Sequence, residues 1–366
     1  MYKATFIELV FCMFFWTVAM LIYFPALKLT GRGVVARYPK SGSRLVVLFC
    51  LITLYSVFEF AGGDFYHYKE FYDVVHIQGE RDGLDPIYLW LADFLPGSFY
   101  LWRLVIWGAA AFIWTRIIKR LGCSVSLAGC MFFLVVFFLF VGARQALGFS
   151  LLYLGLTMIV EPHAKLDRVL GSLIFLSAYF FHSTMVVYML MALFVLMPLG
   201  KRFIVLSIVL FPVAYYLFDV LIDAFLVQIN LLNESSASTI ERYLESDFRA
   251  EANINGLIRL AVDRLPIIIL LFMAMKDVFW KNLNINVVYR KFLLLSYSMI
   301  YVSYLFVGRE VSAFISPRLW DAALFPFTLF LCGYFTEVKA GKIAYLCLIL
   351  LLVSKIYTYL YAFYKL

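Results

Sequence analysis

The sequence predicts an all-α, polytopic integral membrane protein, and three observations lead there. Of 366 residues, 64% are hydrophobic and 15% charged, whereas a soluble globular domain is about 45–50% apolar and ~25% charged. Mean hydropathy is +0.92, so too few polar residues remain to cover a water-facing surface. The apolar blocks run unbroken for about 17–30 residues, the length of membrane-crossing helices, unlike the alternating ~10-residue segments of a β-barrel. Aromatic residues make up 19% of the chain, which excludes a disordered one.

Taken in order, the blocks fall near 4–27, 45–61, 98–118, 124–141, 145–160, 169–181, 184–199, 203–218, 256–275, 292–308, 317–335 and 343–362. The first, Ala4 to Leu27, is about twice as long as a signal-peptide core and no A-x-A site follows it, so it is expected to stay as a spanning helix. The stretch 169–198 is too long for one crossing. At 1.5 Å per residue it would reach about 45 Å across a ~30 Å hydrocarbon core.

Charge placement decides that stretch. If it crosses twice, the segments 28–44, 116–120, 161–168, 201–202, 276–291 and 336–342 share one side. Together they hold 18 of the 31 Lys and Arg but only four acids, Glu161, Asp167, Asp277 and Glu337. A single crossing would move eight of those cations outward, Lys201 and Lys342 among them. Basic residues near span ends stay cytoplasmic, so two short helices are expected to meet around Phe181-His182-Ser183-Thr184. The expected architecture is a single membrane domain over 1–366 with about 12 transmembrane helices (10–12). Both termini then lie on the non-cytoplasmic face. The net charge of +8 is an orientation signal, with no basic-aromatic module that would read nucleic acid.

Two extracytoplasmic loops are long. In 62–97 the amphipathic stretch Pro86–Leu95 is too short to span and reads as an interfacial or re-entrant helix. In 219–255 a helix-like Asp219–Leu232 is broken by the Ser-rich NESSAS, and 239–251 reads as an acidic surface helix. The six cysteines lie in or beside apolar blocks without CxxC spacing, so neither a zinc site nor a disulfide framework is indicated.

Ionisable groups in a membrane are costly and should pair or face a watery cavity. They cluster toward the outer side: Glu59, Asp64, Arg103, Arg144, His182, Arg249, Arg259, Asp263, Arg264, Arg309, Glu310, Arg318 and Asp321. Seven are arginines and none is lysine. A guanidinium stays charged and presents a planar fork to phosphate oxygens, so the group suits a lipid diphosphate. Internal ion pairing, such as Asp263 with Arg259 or Glu310 with a neighbouring span, is the better account of any single arginine, and diphosphate binding the better account of the group. Asp263 and Arg264 lie within the first ~15 Å of their helix, and Pro266 predicts a kink. His182, at a helix break, is either a hydrogen-bonded structural residue or a donor or base in the cavity. The aromatics Phe65, Tyr66, Tyr68, Phe71, Tyr72 and Trp90 fit sugar stacking and an interfacial belt alike. HExxH, a Walker loop, GxSxG and GxGxxG are absent, so nothing points to zinc, ATP, a covalent serine or another cofactor.

The order of landmarks is informative. GGDFYHY (Gly63, Asp64, Tyr68) follows an early span, and DPIYLWL comes about twenty residues later. RQALG (Arg144, Gln145), a short helix ending in FHST (His182) and a late PRLWD (Arg318, Asp321) follow. This series resembles the EpsG branch of the Wzy-type polysaccharide polymerases. The resemblance implies a glycosyltransferase C-like helical bundle in a bacterial inner membrane and a metal-independent, inverting glycosyltransferase. Such an enzyme moves a growing glycan from one undecaprenyl diphosphate onto another lipid-linked repeat unit on the periplasmic face. Carried over by position, Arg144 and Arg318 contact diphosphate, and Asp64 and His182 line the acceptor side. The residue-level reading adds Arg309 and Arg259 to the diphosphate set and Tyr68, Gln145 and Asp321 to the substrate set. Glu310 joins Asp64 and His182 as a candidate base for the attacking hydroxyl. The expected partners are the polyprenyl-diphosphate-linked oligosaccharide, the bilayer, a flippase and a chain-length regulator. A lipid-linked oligosaccharide flippase is the main rival reading. It predicts paired halves and polar groups reachable from both faces, and neither is visible. A glycan ligase uses the same donor and is not separated from a polymerase by sequence.

Overall fold

The apolar blocks fold as helices whose ends fall where charge, Gly or Pro interrupts them. The structure, a computed structural model, describes residues 6–30, 33–36, 42–58, 69, 72, 94, 98–135, 143–181, 185–198, 200–217, 254–305, 312–337 and 342–365. Within these, α1 is Phe6–Tyr23, α2 Gly42–Phe58, α3 Phe99–Arg120, α4 Val125–Val135, α5 Ala143–Val160 and α6 Asp167–Phe181. There follow α7 Met185–Leu196, α8 Lys201–Val209, α9 Ile254–Met275, α10 Val287–Leu305, α11 Ser312–Glu337 and α12 Lys342–Lys365. Nearly all of the loop expected over 62–97, and 219–253 of the second loop, lie outside the described residues.

Among the described residues the chain departs from all-α at one place. Leu27–Thr30 (β1) pairs antiparallel with Gly33–Ala36 (β2), Leu27 opposite Ala36 and Thr30 opposite Gly33. Only Gly31-Arg32 separates the strands in sequence. A two-residue connection with Gly, flanked by β-branched Val34, Val35 and Thr30, is ordinary hairpin chemistry. It stands in the segment expected as a basic loop.

Two described helical stretches, Phe99–Arg120 and Leu319–Thr336, are long and apolar enough to cross a membrane, and shorter apolar helices accompany them. Surface character is more telling. On α6, Val169, Leu173, Leu176 and Phe180 are 58%, 59%, 55% and 66% exposed, and they recur at helical spacing on one face. Gly171, Phe175 and Ala178 occupy the buried face. Such an outward apolar stripe, repeated on α7 and α8, belongs in lipid and not in water. The protein is a membrane protein.

Lipid tails are as apolar as leucine, so close packing holds the helices together, and small residues permit it. A Cβ on Gly155 would lie 2.6 Å from the Gly171 carbonyl oxygen, and one on Gly171 would lie 2.7 Å from Met158 Cβ. A Cβ on Gly148 would meet Met185 at 3.0 Å and the Ala178 carbonyl at 3.6 Å. These contacts make α5 and α6 antiparallel and set the start of α7 beside the start of α5.

The basic segments meet at one end of the bundle. Arg120 Nη2 donates to Asp167 Oδ2 at 2.5 Å and to the Glu161 carbonyl at 2.7 Å. Asn286 Nδ2 donates to Glu161 Oε1 at 3.1 Å. Tyr334 donates to Asp277 at 2.5 Å, Tyr289 to the Leu121 carbonyl at 3.0 Å, and Arg44 to Ser126 at 2.8 Å. Lys291 Nζ donates to the carbonyls of Val195, Leu196 and Met197 at 2.7, 3.2 and 2.6 Å, which satisfies the free acceptors at the end of α7. Thus α6 starts and α7 ends at this basic end, so 169–198 doubles back. Charge counting had pointed to the same turn.

Local chemistry ends α3 and α9. Gly122, at φ +66°, closes α3: its N–H bonds to the Lys119 carbonyl and that of Cys123 to Ile118. This is a Schellman cap, with Lys119 and Arg120 on the negative end of the helix dipole. After α9 a π-helical turn, Lys276–Trp280, leads to Asn282 at φ +50°, a conformation that asparagine tolerates.

Candidate functional site

Asp64, Tyr68, His182, Arg309 and Glu310 lie outside the described residues. The backbones of Arg144, Arg259, Asp263 and Arg318 are described within α5, α9 and α11, and the structure places them there without describing their side chains. Gln145 and Asp321 are described in full and are half-buried.

Arg144 is the second residue of α5, whose first turn carries no acid. A cation there opposes the helix dipole, while both charges favour an anion in front of the helix. Arg318 stands on α11, three residues before Asp321. The two helices pack directly: Tyr153 donates to the Ala322 carbonyl at 3.2 Å, and the Phe149 and Phe325 rings lie 5.2 Å apart. Counting back from that ring pair, Arg144 stands about 7.5 Å and Arg318 about 10.5 Å farther along their helices. The structure therefore sets their backbones at similar depth on adjacent helices.

Arg264 is described with its side chain. Its guanidinium lies over the Trp320 ring at 4.8 Å, and the Tyr304 ring meets the same indole edge-on at 6.1 Å. Helices α9, α10 and α11 are thereby tied together two residues from Arg318. Pro266 sits inside α9 and leaves the Val262 carbonyl without its helical donor.

Arg103 is also described with its side chain. It is 1% exposed, donates to the Ser56 carbonyl at 2.6 Å, and lies 5.6 and 5.9 Å from the Phe99 and Trp107 rings. Those contacts brace α2 against α3. Tyr72, one of the aromatics weighed for sugar stacking, packs on Phe99 and Trp102 at 5.9 and 6.1 Å.

Sequence reading missed Lys355, 6% exposed in α12 beside the buried Ser354. It stands about 20 Å along the helix from Lys342, where a buried cation is expensive and marks a functional position by default. The signal was one lysine inside LLVSKIYTYL, a block counted only for its apolar length. Among the described residues no three His, Cys, Asp or Glu side chains gather as a metal would require.

Neither a curated protein nor a solved structure matches the chain. A family model does, over residues 44–366, which takes in every landmark from the GGDFYHY segment to the last helix. The chain belongs to the EpsG family.

Proposed function

We propose that this protein polymerises polysaccharide repeat units at the outer face of a bacterial inner membrane. Family membership, with its polysaccharide polymerase-like role, is the observation that carries the reading. The similar depth of Arg144 and Arg318 on packed helices, away from the basic end, supports the finer part. In this reading the chain crosses the membrane twelve times with both termini periplasmic, and the basic end is cytoplasmic.

The reaction is an inverting, metal-independent glycosyl transfer. A hydroxyl on the terminal sugar of one lipid-linked repeat unit attacks the anomeric carbon of a glycan held on a second undecaprenyl diphosphate. The new glycosidic C–O bond forms on the face opposite the departing group. The old C–O bond breaks, and its electron pair leaves with the diphosphate. Arg144 and Arg318, with Arg259 and Arg309, stabilise that charge; preorganised donors screened from bulk water serve such a leaving group best. Asp64, His182 or Glu310 takes the hydroxyl proton. Tyr68, Gln145 and Asp321 hold the sugars. A flippase that delivers the units and a regulator of chain length complete the expected set of partners.

Purified protein given undecaprenyl-diphosphate oligosaccharide, with chelator present, should build a ladder of longer lipid-linked glycans. Intact substrate that merely crosses a proteoliposome membrane, with no ladder, would replace polymerase by flippase.

A further inference from the structure

We propose that the basic end carries a second anion site, for a phosphate group, in a cleft between the start of α8 and the segment that joins α9 to α10. The cleft has a volume of about 400 Å³ and is lined by Gly200, Lys201, Phe279, Asn282, Asn284 and Arg290. It lies at the other end of the bundle from Arg144 and Arg318.

Its charge is one-sided. Among the described residues neither Lys201 nor Arg290 bonds to a carboxylate, although acids stand nearby. Asp277 is taken by Tyr334 and Lys281, at 2.5 and 2.7 Å, while Glu161 accepts from Asn286 through Oε1 and keeps Oε2 buried without a hydrogen bond among the described residues. The Arg290 guanidinium rests near the Phe279 ring at 6.0 Å, and its Nε is buried without an acceptor. A buried donor left unmet costs free energy that an incoming acceptor recovers. The side-chain amides of Asn282 and Asn284 add neutral donors. Two cations and two amides around one hollow suit the oxygens of a phosphate better than a single carboxylate.

The surroundings favour a lipid as the bearer of that phosphate. Trp280, next to Phe279, is 46% exposed, and Val205 and Leu206, one turn beyond Lys201, are 46% and 56% exposed. Apolar surface flanking a basic hollow between helices matches an anionic headgroup with its acyl chains alongside. A soluble phosphate would use the same donors without those flanks.

Native mass spectrometry of the purified full-length protein tests the site with three separate probes: phosphatidylglycerol, phosphatidylcholine and inorganic phosphate. The wild type should retain phosphatidylglycerol over phosphatidylcholine, and Lys201→Gln and Arg290→Gln should each weaken retention about fivefold. Lys165→Gln, an exposed cation elsewhere on the same end, should change nothing. Arg290→Lys, which keeps the charge, should recover part of the loss and shows that the fold survives. Weakened binding of inorganic phosphate alone would keep the site and assign it to a soluble ligand. Equal retention by wild type and the Lys201→Gln/Arg290→Gln double variant for both anions would overturn the proposal. So would an equal loss in Lys165→Gln.

Discussion

Arg264 holds its guanidinium 4.8 Å from the centre of the Trp320 ring, and so links α9 to α11. A cation over an indole away from water is worth about 2 kcal/mol or more, and less when solvated. Arg264→Gln and Trp320→Leu should each lower the thermal stability of the protein in detergent. A double-mutant cycle should return a coupling of about 0.5–2 kcal/mol. Strictly additive effects would mean that the two side chains do not support each other.

Arg144→Ala and Arg318→Ala should stop chain growth while single-unit glycolipid and protein levels stay normal. If oxyanion donors are a guide, each loss costs roughly 2.7–4 kcal/mol, about 10²–10³ in rate. Arg144→Lys should also lose most activity, because a point charge does not replace a planar fork. Ladder length on a gel reads all three variants, and disappearance of the protein itself would point to a packing role.

At the basic end, pH should act through Asp167. The Arg120 guanidinium first, then the His163 N–H at 2.7 Å, hold its carboxyl below the usual carboxylate range. A depressed folded-state pKa contributes stability that is present above the unfolded value, near 3.9, and is lost as pH falls through the folded value. Thermal melts should therefore show a decline below about pH 4 that Asp167→Asn reduces. An unchanged acid limb in that variant would contradict the assignment.

Close helix packing gives a further test. Gly155→Ala puts a methyl against the backbone of α6 and should destabilise by about 1–3 kcal/mol, in the range for overpacking. Gly42→Ala, where a Cβ meets nothing within 4 Å, should be close to neutral. Melting temperatures in one detergent compare the two.

Fold class and the reversal of 169–198 were legible in sequence because both rest on counts: apolar length and the side on which Lys and Arg fall. The hairpin at 27–36 was not, since Lys28 and Arg32 marked the segment as a basic loop and four-residue strands leave little periodicity. The candidate site was legible as a set of residue types and not as a geometry. Arg103 and Arg318 look alike in sequence, and only packing shows that Arg103 serves the Ser56 carbonyl. Lys355 was hidden because one charge barely lowers the hydropathy of a long apolar block. The cleft at Arg290 was invisible for another reason: its residues come from two segments more than seventy positions apart, and their cations had already been counted as orientation signals.

If, as proposed, arginines on α5 and α11 hold a lipid diphosphate, equilibrium binding of undecaprenyl diphosphate to the purified protein depends on them. Arg144→Ala and Arg318→Ala should each weaken binding by about tenfold or more, as expected for a lost hydrogen bond to a charged group, while Lys165→Gln binds as the wild type does. Unchanged affinity in both arginine variants would contradict the account.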